Sequence, residues 1–125
     1  MKSFIKFASA AALAIGTLST GVAHANLSCV TNVTQVDIAG NGMIYVTGTG
    51  VGTSFDHNAL CSVSSQVGGY TADACKELNK TLTAALLSGK KVTFWFNGGS
   101  SSCAPGSWTD LTNPAYGVYF ANILK

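Results

Sequence analysis

Asp56 and His57 are neighbours in a serine-rich sequence, and His57 is the one histidine beyond residue 25. Acyl transfer through Ser, His and Asp needs a nucleophile within reach of a base that a third group orients. Adjacent residues are poorly placed to serve each other as base and orienter, and no G-x-S-x-G elbow occurs. Glycoside hydrolysis would need two carboxylates from Asp37, Asp56, Asp73, Glu77 and Asp110. Asp73 and Glu77 already have an explanation as helix-dipole and surface residues, so no enzyme activity is expected. Gly48, Gly50 and Gly52 resemble a phosphate loop only in composition. No Lys accompanies them, and a strand rather than a helix is expected to follow.

Binding of a sugar asks for a different set. A flat aromatic ring takes the C–H face, and amide, hydroxyl or carboxylate groups take the hydroxyls. The candidates are Tyr70, ahead of the helix, and Trp108 with Asp110 in the late connection. Trp108 also has a competing role as a lid packed over a disulfide at Cys103. Trp95 and Tyr119 read as core or subunit-interface residues.

Cys29, Cys61, Cys75 and Cys103 contain no C-x-x-C pair, and a metal centre is not expected. An even cysteine count in a small exported domain implies two disulfides, with three possible connectivities. Export is expected from residues 1–25. Lys2 and Lys6 open this segment, an apolar small-residue run follows, and Ala23-His24-Ala25 matches a cleavage site. The run is too short and too interrupted by Thr17, Ser19 and Thr20 to span a bilayer. The expected mature domain is 26–125, periplasmic or secreted. Of the 7 basic residues, all Lys, removing Lys2 and Lys6 leaves five against 5 acidic ones. A neutral, Arg-free domain is a poor nucleic-acid binder. No cofactor is expected.

The elements that must carry these residues are mostly strands. Residues 29–38 are rich in β-formers but alternate only loosely. Asn41-Gly42 is a hairpin signal, and 43–47 return. Residues 48–58 read as a loop and 59–64 as a third strand. Thr71 is a plausible N-cap for a helix over 72–88, whose apolar face is Ala72, Cys75, Leu78, Leu82, Ala85, Leu86 and Gly89. Residues 91–97 alternate cleanly, 98–107 read as loop, and 116–124 as a last strand.

Three strands, a helix and two strands is the order of the OB-fold, a five-stranded Greek-key barrel; an open α+β sheet shares that order. In the barrel the first and fourth strands are antiparallel neighbours. That predicts Cys29–Cys103, leaving Cys61–Cys75 across a short loop. The rival pairing is Cys61–Cys103 with Cys29–Cys75.

Cys75-Lys76-Glu77-Leu78, Ala85 and Ser88-Gly89-Lys90-Lys91-Val92 before an aromatic strand resemble the helix-to-strand stretch of the subtilase cytotoxin B subunit. With Cys61 ahead of the helix and Cys103 then Trp108 after it, the likeness extends over residues 59–124 to related small exported bacterial proteins. It implies an OB-fold, a homopentameric ring, a toxin A-type partner subunit and binding of glycans, often sialylated. No sugar-contacting residue is carried over from that family. The expectation is a non-catalytic, exported glycan-binding subunit. The alternative is an exported structural or interaction protein, an inhibitor or envelope accessory, without a sugar site.

Overall fold

The computed structural model describes residues 26–97 and 102–125. The leader expected over 1–25 and the first part of the loop expected over 98–107, residues 98–101, lie outside the described residues. The protein is mainly β with one helix: β1 Leu27–Ile38, β2 Met43–Gly50, β3 Thr53–Ser62, α1 Ala72–Ser88, β4 Lys91–Phe96, β5 Gly106–Ser107 and β6 Val118–Ile123.

β1 is the long central strand. Its first half pairs with β4, from Leu27 opposite Phe96 to Asn32 opposite Lys91. Its second half pairs with β2, ending with Ile38 opposite Ile44. The register shifts between Val33 and Gln35. Before that bulge the odd positions Cys29, Thr31 and Val33 are buried; after it Gln35 is exposed and Asp37 half-buried. One extra residue exchanges the two faces of a strand. This explains the loose alternation in the sequence, and it is what brings Gln35 and Asp37 to the outer face. The hairpin forms at Asn41-Gly42 as expected, with Gly42 at φ 83 and its N–H donating to the Ala39 carbonyl at 2.8 Å.

The helix runs from Ala72 to Ser88 as the apolar spacing predicts. The Thr71 hydroxyl accepts from the Ala74 N–H at 3.2 Å, and Gly89 closes the helix in the left-handed region. It buries Cys75, Leu78, Leu82 and Ala85 against the sheet. The core between them is built on Phe55, which meets Phe94 edge-on at 5.4 Å and Phe96 face-on at 6.1 Å. Disulfides join Cys29 to Cys103 and Cys61 to Cys75. The first ties the central strand to the late connection, and the second ties β3 to the first turn of α1.

Three expectations need correction. The segment read as a loop over 48–58 is instead the end of β2, a tight turn at Val51-Gly52 and the start of β3, so Asp56 and His57 lie on a strand. The late connection contains a sixth strand, β5, parallel to β3 at Phe55 and Asp56. Above all, the sheet is not a closed five-stranded OB-type barrel. It is an open, mixed, six-stranded sheet in the order β5-β3-β2-β1-β4-β6. The reason lies between its edges. β5 is two residues long, and the turn around Asn113-Pro114 interrupts the chain before β6 begins. Among the described residues, Leu111 bonds to both sides. Its N–H donates to the Ala59 carbonyl at 2.9 Å, and its carbonyl accepts from Val118 N–H at 3.2 Å. That is a tether, not a ladder.

Candidate functional site

The outer face of β1, β2 and β3 carries Gln35 and Asp37, Tyr45 and Thr47, and then His57. Asp37 stands opposite Tyr45, and Gln35 opposite Thr47. On β3 two residues, Asp56 and His57, oppose the single Thr47. This second bulge puts His57 at φ 49, in the left-handed region. A non-glycine residue there costs about 1–3 kcal/mol and is held by its surroundings. The holding contacts are specific. His57 N–H donates to Thr47 Oγ1 at 3.1 Å. Asp56 N–H donates to Oδ1 of the fully buried Asn58 at 3.0 Å. The Asn58 amide donates in turn to the Gly106 carbonyl at 2.7 Å. Asn58 therefore fastens the bulge to the late connection.

That connection runs alongside β3, through Ser54 N–H to the Cys103 carbonyl and Trp108 N–H to the Asp56 carbonyl, both 2.8 Å. Trp108 is the other non-glycine residue with positive φ among the described residues, at 58. The two strained residues meet. The His57 and Trp108 rings stack with centroids 4.5 Å apart and planes 15° apart. Tyr45 meets the same indole edge-on at 5.7 Å. Trp108 nevertheless remains 66% exposed, so it is not a lid over the Cys103 disulfide.

Polar groups ring this aromatic stack. His57 Nδ1 donates to Asp56 Oδ1 at 2.6 Å, so the bulge does let these neighbours orient each other, contrary to expectation. The Ser107 hydroxyl donates to the other Asp56 oxygen. The Ser107 hydroxyl, and secondly the His57 ring, hold the Asp56 carboxyl below its ordinary range. His57 Nε2 lies 3.8 Å from Asp37 Oδ2, and the Gln35 amide donates to both Asp37 oxygens at 2.9 Å. Asp37, Ile38, Ala39, Tyr45, His57 and Trp108 line a cleft of about 280 Å³. A larger hollow of about 620 Å³ runs along α1, but it carries no aromatic ring, and its Asp73–Lys76 and Glu77–Lys80 pairs satisfy each other.

Of the residues singled out for sugar binding, the structure places Trp108 in the cleft, beside His57 and Asp37, which the sequence offered only as parts of a catalytic set. Asp110 is exposed two residues on, accepts from Thr112 N–H at 2.8 Å, and does not line it. Tyr70 lies elsewhere, half-buried beside Ala74 and Leu78 of α1 and Tyr119 and Phe120 of β6, where burial raises its hydroxyl to about 12. Sequence reasoning weighed Asp37 only as a glycosidase carboxylate, and it missed Tyr45 and Asn58 as parts of this site. The broken alternation of β1 was the available signal for Asp37.

No family model, curated protein or solved structure matches the chain. The resemblance to toxin B subunits therefore rests on the residues quoted for it.

Proposed function

We propose that the chain is an exported, non-catalytic glycan-binding subunit that takes sugar at the Trp108 cleft. The observation that carries this reading is the two-thirds exposed indole, braced on one face by His57 and flanked by a carboxylate in a cleft. Such a ring presents an apolar platform, while Asp37 and Tyr45 supply an acceptor and a hydroxyl for sugar hydroxyls. Catalysis fits the geometry less well. Ser107 donates to Asp56 rather than to a ring nitrogen, and both His57 nitrogens face carboxylates. Among the described residues no nucleophile is thereby activated by that base.

The two disulfides fit an oxidising compartment, periplasmic or extracellular. Among the described residues no helix is long and apolar enough to cross a membrane. The test is a glycan array probed with the purified domain and with Trp108→Ala. Retained signal for specific saccharides in the first and loss of about tenfold or more in the second is expected, since a stacked aromatic contributes about 1–3 kcal/mol. Equal binding by both forms places any sugar elsewhere.

A further inference from the structure

The composition of the cleft says which saccharides suit it. Asp37 lines it directly, with its side chain 39% exposed, and Asp56 stands behind His57 with 47% of its side chain exposed. Among the described residues no Lys lines the cleft, and the chain contains no Arg. The one cationisable group there among the described residues is His57, and its ring nitrogens already face Asp56 and Asp37 at 2.6 and 3.8 Å. A ligand carboxylate would find two like charges and no cation to pair with. A ligand ammonium would find the reverse: an acceptor in Asp37 and two electron-rich rings, Trp108 and Tyr45, set edge to face 5.7 Å apart. Rings so arranged attract cations through their quadrupoles. The Gln35 amide holds the Asp37 carboxylate from one side at 2.9 Å, which fixes its direction while leaving lone pairs for a ligand.

We infer that the cleft selects amine-bearing saccharides, tolerates neutral ones and excludes carboxylate-bearing ones. This rests on the glycan-binding reading and narrows it, and it departs from the sialylated ligands that the toxin-subunit resemblance implies. The selection has both an attractive and a repulsive element, which is how charge usually discriminates between ligands of one shape.

The experiment is an array printed with matched sets: an N-acetylglucosamine trimer against its de-acetylated glucosamine counterpart, and lactose against sialyl-lactose, followed by titration calorimetry at neutral pH. The glucosamine trimer is expected to bind about tenfold tighter than its acetylated form, and sialyl-lactose about tenfold weaker than lactose, both falling with added salt. Asp37→Asn is expected to level both preferences. Glu77→Gln, a carboxylate removed on α1 that does not line the cleft, is expected to keep them, so a general charge effect is told apart from a local one. A preference for the sialylated member, or preferences that survive Asp37→Asn, overturns the inference and leaves glycan binding standing. Binding to no saccharide on the array overturns both.

Discussion

At the scale of single residues, the site depends on two conformations that side chains seldom adopt. His57 and Trp108 both sit at positive φ, and each is locked through its backbone N–H, His57 to the Thr47 hydroxyl on β2 and Trp108 to the Asp56 carbonyl on β3. Asp56 is the hinge between them. It receives the Ser107 hydroxyl and the His57 ring on its carboxylate and the Trp108 N–H on its carbonyl. Because these donors hold the carboxyl below its ordinary value of 3.8, the ionised form is favoured by folding. The stability this contributes is present above the unfolded value and lost as pH falls through the lower folded one. Asp56→Asn, which keeps the shape and removes the charge, is therefore expected to melt below wild type near neutrality. The difference should shrink as the pH drops below 3.8, and a gap that widens in acid would reject this account. Trp108 was legible in the sequence because an aromatic in a polar loop stands out by type alone. Its partners were not. Asp37, Tyr45 and His57 converge only because two strands carry an extra residue, and Asn58 acts from complete burial.

At the scale of elements, what could be read and what could not divide along local and non-local lines. The helix over Ala72–Ser88 was legible to the residue, because its apolar period, its Thr71 cap and its Gly89 stop are all local. Strand β3 was legible only in its second half. Three glycines before it suggested a loop, whereas a two-residue turn at Val51-Gly52 was enough to reverse the chain. β5 could not be read at all, since two residues carry no period, and its pairing is set by β3 across about fifty positions of sequence. What holds that distant segment in place is the Cys29–Cys103 bridge, with a separation of 74 residues, where Cys61–Cys75 spans 14. Chain entropy puts closure of such loops at about 4.5 and about 3 kcal/mol. Replacing Cys29 and Cys103 together by Ala is expected to lower the unfolding free energy more than replacing Cys61 and Cys75. It should also loosen the Trp108 segment, seen as faster hydrogen exchange at Trp108 N–H. Denaturant melts that rank the two pairs the other way would show that the short bridge, fastening α1, dominates.

At the scale of the molecule, the decisive feature is that the sheet stays open. The order of elements suggested closure, and Leu111 comes within one hydrogen bond on either side of providing it. The Pro114 turn and the brevity of β5 prevent a continuous ladder, so two edges remain. β5 is too short to template another chain. β6 is not: it spans Val118–Ile123, pairs with β4 on one side, and has Tyr119 41% and Phe120 52% exposed, both bordering the hollow beside Tyr70 and α1. Past Val118, whose N–H is taken by the Leu111 carbonyl, no strand among the described residues pairs with the outer side of β6. An open edge bearing exposed aromatics is a site for strand addition; natural edges are usually guarded by Lys, Pro or bulges, and over 118–123 β6 has no Lys or Pro and one bulge, at Tyr119. Self-association through β6 is therefore expected at tens of micromolar, with light scattering reading a mass above that of one chain. Phe120→Lys places a charge on the edge without touching the core, because that side chain is exposed, and should return the mass to a monomer while leaving the helix signal in circular dichroism unchanged. A monomeric wild type removes the edge argument. A higher mass that persists in Phe120→Lys moves the interface off β6; pairing of β6 with its own copy closes a dimer, whereas a ring requires head-to-tail contact between two distinct patches.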